Sequence, residues 1–382
     1  MNVFFLSLDL FSIGGIQRYS RYVLQSLARA SNVGRVTVAS LAPPARDGGF
    51  GDIALHLTGG RSPFRRLIFA AAALRAMRSA RPSLMICDHI NIAPIAWVFG
   101  AITGTPYVLN VYAIDVWGPL PWLRRRALLA ASRIVSDCEF TRDYLENGYP
   151  QLVGRITVVP DCVDTNRFTA NPIRSTNTPP IILTVARLSD ARSKGHDVVL
   201  RALAMLQARG IDARYVIAGD GPGRARLEAL AADLGVEASV TFLGAVEEAA
   251  LPDVYRSCDV FALVSAFDTA TGQGEGVPLV VLEAQACGKP VVTSRCDGSA
   301  ESIVDGETGL LVDPADVSAV AERLALLLQD GDLRERMGAA ARRLAERRFA
   351  VPVFDAAFGE IVDSFAAPAP ETVALPSEAA IR

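Results

Sequence analysis

Nothing in this chain restricts the possible folds as tightly as the stretch from Gly274 to Val292, GEGVPLVVLEAQACGKPVV. A glycine-rich loop leads into an apolar run that is closed by Gly288, and Pro278 stands where the first turn of a helix would lack an N–H partner anyway. The segment therefore reads as a loop feeding a helix N-terminus, whose first-turn amides are unpaired and carry the positive end of the helix dipole. Glu275 sits at that mouth, and Glu283, with seven residues between the two, lies about two turns further along. Carboxylates accept hydrogen bonds from paired sugar hydroxyls, so the arrangement suits a ligand with a phosphate between two sugars. In isolation, the ordinary reading of such a pair is a helix glutamate held by an arginine and a solvated loop glutamate.

A chain of 382 residues exceeds the usual size of one hydrophobic core, so two domains are expected, and 51% hydrophobic with 21% charged residues fits a well-buried α/β protein. Asn2 to Asp9 has no basic leader and reads as a buried strand, not a signal peptide. Ile90 to Tyr107, the longest uncharged apolar-rich stretch, is broken by Asn91, Pro94, Gly100, Gly104 and Pro106, which argues against a membrane span. Six cysteines without a C-x-x-C or a histidine at ligand spacing point to a reduced, cytoplasmic protein without a zinc site. The net charge of -3 conceals an asymmetry. Residues 1–165 hold 17 arginines against 11 acidic residues, net +6, and the remainder holds 21 basic against 30 acidic, net -9. Lys194 and Lys289 are the only lysines.

In chain order, a strand over Val3–Leu8, the loop Ser12-Ile13-Gly14-Gly15 and a helix from Ile16 to Ala30 open a doubly wound sheet. Further strands are expected at Val36–Ser40, Leu84–Cys87, Tyr107–Val111 and Ile134–Ser136. The helix starting at Pro63 is expected to turn Leu67, Ala70, Leu74 and Met77 to the core, leaving Phe64 and Ile68 outside with Arg61, Arg65 and Arg75. Trp122-Leu123-Arg124-Arg125-Arg126 adds a second arginine-and-apolar patch, the makeup of an interfacial surface; a solvated basic face is the plainer alternative. The proline-bearing segment 169–180 reads as a linker, so the first domain is placed at 1–168 and the second at 181–350. A helix over 353–365 is expected to return to the first domain, and 366–382, rich in Ala and Pro, to be disordered.

The second domain opens with a strand at Ile181–Ala186, then Arg187 and, seven residues on, Lys194-Gly195, one guanidinium fork and one point charge for a diphosphate. A strand at Tyr215–Ala218 ends in Gly219-Asp220-Gly221-Pro222-Gly223, where Arg224 replaces the last glycine of a dinucleotide fingerprint. Phe242-Leu243-Gly244 and Asp259–Val264 are further strand ends.

The Gly274–Val292 string, with its Ala-Cys-Gly-Lys-Pro-Val-Val tail, closely resembles the nucleotide-sugar signature of the retaining glycosyltransferase family 4, and the resemblance extends over about residues 1–365. It implies the GT-B fold, two Rossmann-like domains with parallel sheets facing across a cleft. It also implies a retaining transfer from a nucleoside-diphosphate sugar to a glycan or lipid-linked acceptor, with no metal and no other cofactor. Glu275, Arg187 and Lys194 would then be catalytic. Gly15, Arg187, Lys194, Gly219, Gly221, Leu243, Glu275, Gly276, Val277, Leu279 and Glu283 would bind the donor, Glu275 at the sugar and Glu283 at the ribose. His89, Tyr112 and Asp115 would face the acceptor, although Tyr112 stands where the family usually has histidine. The partners implied are a nucleotide sugar, a saccharide acceptor and an anionic membrane surface on the cytoplasmic side, with no nucleic acid. Two alternatives stay open: a nucleotide-sugar epimerase of the same fold class, and a non-catalytic sugar-binding protein.

Overall fold

The computed structural model describes residues 1–12, 14–42, 55–58, 63–170, 177–189, 194–267 and 273–366. Two all-parallel sheets organise them. The first contains β1 (Asn2–Ser7), β2 (Arg35–Ser40), β3 (Leu55–Thr58), β4 (Leu84–Cys87), β5 (Tyr107–Val111), β6 (Arg133–Ser136) and β7 (Ile156–Val158), in the order β3-β2-β1-β4-β5-β6-β7. The second contains β8 (Ile181–Val185), β9 (Arg214–Ala218), β10 (Val240–Gly244), β11 (Val260–Leu263), β12 (Val291–Ser294) and β13 (Gly309–Val312), in the order β10-β9-β8-β11-β12-β13. The direction of winding reverses between β1 and β4 and again between β8 and β11, and a crevice at the carboxyl ends of the strands belongs to each reversal.

Helices cover both faces. They are α1 (Gly15–Arg29), α2 (Pro63–Ala80), α3 (Ala93–Thr103), α4 (Ala113–Val116), α5 (Trp122–Ala130), α6 (Glu139–Gly148), α7 (His196–Ala208), α8 (Arg224–Asp233), α9 (Leu251–Ser257), α10 (Leu279–Ala286), α11 (Val317–Gln329), α12 (Gly331–Arg348) and α13 (Val351–Asp363). A sheet buried on both sides needs apolar residues at every position, which is what the strands supply. In β1, Phe4 and Leu6 point into one core and Val3 and Phe5 into the other. In β12, Val292 and Val291 divide in the same way between the two cores of the second sheet.

The chain returns to the first sheet through α13. Phe354 packs edge-on to Tyr19 of α1 at 5.2 Å, and Asp355 pairs with Arg29 at 2.7 Å. The tail beyond residue 366 and residues 171–176 of the expected linker lie outside the described residues.

One expectation for α2 is overturned. Leu67 is 72% exposed, and the face turned to the core carries Phe69, Ala73 and Met77. Four consecutive alanines make several stripes of this helix equally apolar, so the sheet selects the one bearing the large aromatic, and Leu67 lies about 200° around the axis from Phe69. Ile68 is exposed as expected, whereas the side chain of Phe64 lies outside the described residues. The edge strands β3 and β7, of four and three residues, were not among the expected strands.

Candidate active site

The reversal between β8 and β11 gathers the second domain's polar residues. Arg187 leaves the end of β8, Ser265 lies just beyond β11, and the glycine loop enters α10 beside them. Lys194 Nζ pairs with Glu275 Oε1, and Ser265 Oγ donates to the same oxygen at 3.1 Å. The backbone of Glu275 is fixed from the other side: its N–H donates to Asp297 Oδ2 at 2.9 Å, and its carbonyl accepts from Gly298 N at 3.0 Å. Burial pushes the Asp297 carboxyl up to about 6, with the amides of Glu275 and Ser299 pulling the other way. Among the described residues no acceptor takes the N–H of Gly276, Val277, Leu279 or Val280. Arg187 is exposed and makes no ion pair with a described residue. A lysine thus pairs with the carboxylate of a turn whose next four amides have no acceptor among the described residues, and the Arg187 guanidinium leaves the end of the neighbouring strand, a set of groups able to hold a diphosphate beside a sugar.

Gly219 and Gly221 act on this site indirectly. Their φ angles are +143° and +150°, and a Cβ would lie 2.0 Å from the Ala186 carbonyl oxygen and 2.3 Å from that of Leu188, respectively. The glycine turn therefore supports the backbone that carries Arg187. Leu243, half exposed, ends β10. Val277 is buried in the core of the second sheet, so its amide is the part available to a ligand. Leu279 is buried as well, and its Cδ1 lies 3.9 Å from where a Cβ on Gly15 would stand, so the two helix N-termini meet across the cleft.

Glu283 is 2% exposed and both its oxygens are engaged: Oε1 pairs with Arg18 Nη1, and Oε2 accepts from Tyr255 Oη at 2.7 Å. Burial pushes this carboxyl up, opposed first by the charge of Arg18. Arg18 comes from α1 of the first domain and also reaches Glu248 at 3.1 Å. The helix-glutamate-with-arginine arrangement is therefore present, with the arginine supplied from across the cleft.

In the first domain, Asn91 N donates to His89 Nδ1 at 3.1 Å, which leaves the ring proton on Nε2, 3.2 Å from Asp115 Oδ2. His89 and Asp115 form one polar pair at the ends of β4 and β5. Tyr112 lies beside His89, with ring centroids 6.1 Å apart, but on the buried side of the pair. Its ring is buried edge-on to Tyr19 at 5.3 Å with the hydroxyl pointing into the domain, which corrects its expected acceptor-facing position.

Several residues at the seam have no signal in the sequence. Glu301 accepts from Glu139 N and Phe140 N, both at 2.8 Å, so a carboxylate of the second domain caps α6 of the first. Trp117 and Phe140 pack edge-on against Phe267 of the second domain, at 5.2 and 5.3 Å, directly over Gly274. Asp137, at the end of β6, faces Gly276. Each follows from a juxtaposition of distant segments, and only Arg18, four residues from Gly14 on a helix aimed at the cleft, lay close enough to a quoted loop to be found. Among the described residues no group of three or more His, Cys, Asp or Glu is placed to hold a metal ion.

Comparison with known proteins adds three findings. Residues 13–167 match the family model "Glycosyltransferase Family 4", and residues 166–344 match "Glycosyl transferases group 1". Over 243 residues the chain is 33% identical to the GDP-mannose-dependent alpha-(1-6)-phosphatidylinositol monomannoside mannosyltransferase of Mycolicibacterium smegmatis, covering 60% of this chain and 62% of that protein. Over 222 residues it is 37% identical to the D-inositol 3-phosphate glycosyltransferase of Corynebacterium jeikeium, covering 54% of this chain and 51% of that one. The chain thus aligns with between half and two thirds of the length of these relatives. Among solved structures, Anabaena HepE in complex with UDP superposes with a TM-score of 0.78 at 19% identity, over 95% of this chain and 100% of that one. Sucrose-phosphate synthase of Thermosynechococcus elongatus gives 0.79 at 20% identity, over 95% and 98%.

Proposed function

The chain belongs to the group 1 glycosyltransferases of family 4, and on that premise we propose that it transfers a sugar, with retention of anomeric configuration, from a nucleoside-diphosphate sugar to a hydroxyl of a glycan or lipid-linked acceptor. The observation that carries this reading is the pairing of Lys194 with Glu275 on the turn whose amides at Gly276, Val277, Leu279 and Val280 have no acceptor among the described residues. In the reaction the bond between sugar and diphosphate breaks, a bond from the acceptor oxygen forms, and the acceptor's proton leaves with the diphosphate. Negative charge grows on the diphosphate as its bond loosens. Fixed cations and helix-end amides therefore stabilise the transition state more than the ground state. Glu275 accepts from sugar hydroxyls and Glu283 from the ribose, while His89 and Asp115 orient the acceptor. These residues ask for no metal and no further cofactor.

Glycolipid assembly is the setting favoured by the mannosyltransferase and inositol glycosyltransferase relatives. Calorimetry against UDP, GDP and ADP tests the site directly. At least one diphosphate is expected to bind, and Arg187→Ala and Lys194→Ala each to weaken it by roughly 1.5–3 kcal/mol, the worth of a charge-assisted hydrogen bond. No binding to any of the three, or unchanged affinity in both variants, removes this reading.

A further inference from the structure

Asp137 has no part in the mechanism above, yet it stands inside the same cleft. It ends β6 of the first domain, is 6% exposed, and approaches the signature turn so closely that a Cβ on Gly276 would lie 1.9 Å from its Oδ2. Oδ1 is buried without a hydrogen-bond partner. A capping role for the neighbouring helix does not account for it. The first amides of α6 go to Glu301, and Cys138 N donates to Ser136 Oγ at 3.3 Å. A carboxyl oxygen left unpaired in such a place is destabilising unless something arrives to bond it.

We propose that Asp137 binds a hydroxyl of the transferred sugar, so that the first domain supplies a direct contact to the donor on the Glu275–Gly276 turn. The inference rests on the transferase reading. It explains why position 276 is glycine: any side chain there would occupy the space in which the two domains approach the sugar. It also explains a carboxyl where a cation would serve a phosphate better. Burial pushes this acid up to about 7, opposed by hydrogen bonds from Cys138 and from the Asp137 and Ala113 amides and reinforced by the charge of Glu301, so near neutrality it holds a proton part of the time. A group that both donates and accepts matches a hydroxyl, which does the same.

The test compares binding of a nucleoside diphosphate with that of the corresponding nucleotide sugars, by calorimetry, for wild type, Asp137→Ala and Asp137→Asn. UDP, GDP and ADP identify the base, and glucose, galactose, mannose and N-acetylglucosamine derivatives of that base follow. Asp137→Ala is expected to bind the free diphosphate within about twofold of wild type, which also reports an intact fold, and to lose at least fivefold in affinity for the nucleotide sugar. Asp137→Asn, which keeps a donor and an acceptor, is expected to recover most of that loss. Equal loss for diphosphate and nucleotide sugar means a structural role and overturns the proposal. So does unchanged affinity for the nucleotide sugar, whether or not an acceptor KM shifts. Wild type that binds no diphosphate sinks the transferase reading itself, and the Asp137 assignment with it.

Discussion

At the scale of single residues, the two signature glutamates have different surroundings and are expected to fail differently. Glu275 bonds Lys194 and Ser265 at the open side of the turn. Glu283 is sealed by Arg18 and Tyr255. Ribose hydroxyls reach Glu283 only if Arg18 moves aside, and Glu248, 3.1 Å from the other Arg18 nitrogen, offers it a place to go. Arg18→Ala is therefore expected to raise nucleoside diphosphate affinity severalfold, Glu283→Ala to lower it, and Glu275→Ala to leave it nearly intact while transfer falls. Titration calorimetry with a coupled transfer assay checks all three, and weaker diphosphate binding by Arg18→Ala would contradict the competition. Arg187, Lys194, Glu275 and Glu283 could be proposed from the sequence because each sits in a short contiguous pattern. Arg18, Asp137 and Glu301 could not, because what defines them is a neighbour more than a hundred residues away.

At the scale of elements, the glycine turn after β9 illustrates how packing transmits to chemistry. Gly219 lies against the Ala186 carbonyl at positive φ, whereas Gly210, at φ +71°, has open space around its Cα. Gly210→Ala meets only backbone strain, about 1 kcal/mol. Gly219→Ala meets strain and a backbone clash together, on the order of 1–3 kcal/mol, and it must displace the segment that carries Arg187. Thermal unfolding is expected to separate the two variants, and only Gly219→Ala is expected to lose diphosphate affinity; equal affinity in both would mean that Arg187 is positioned by something else. Most strands of both sheets, the edge strands β3 and β7 excepted, were readable from continuous apolar runs. The rotation of α2 was not, since its alanines leave the choice of face to the sheet beneath.

At the scale of the whole molecule, the two domains meet through opposite charges, Arg18 and Arg167 of the first holding Glu248 of the second, and the Arg18–Glu248 pair joins the +6 stretch 1–165 to the -9 remainder. The same asymmetry bears on where the protein works. Among the described residues no helix is long and apolar enough to cross a membrane. The first domain instead exposes Leu67 and Ile68 on α2, Val98 and Ile102 on α3, and Trp122, 68% exposed, with Leu123 on α5. α3 packs against both of the other two helices, so these residues fall on neighbouring elements, with Arg65, Arg66 and Arg124 to Arg126 among them. Large apolar groups set among arginines are the chemistry of a surface that lies in a lipid headgroup layer, and the corrected rotation of α2 adds Leu67 to it. Each arginine near an anionic leaflet contributes about 1 kcal/mol, whereas the acidic second domain is repelled from it. Docking by the first domain would meet a lipid-linked acceptor in place and leave the donor side facing water. Co-sedimentation with vesicles is expected to find binding to anionic and not to neutral lipid, weakened by salt, reduced by Trp122→Ala and abolished by Arg66→Glu with Arg126→Glu. Failure to bind anionic vesicles at low salt would leave the patch a solvated basic face and detach the proposed acceptor from the membrane.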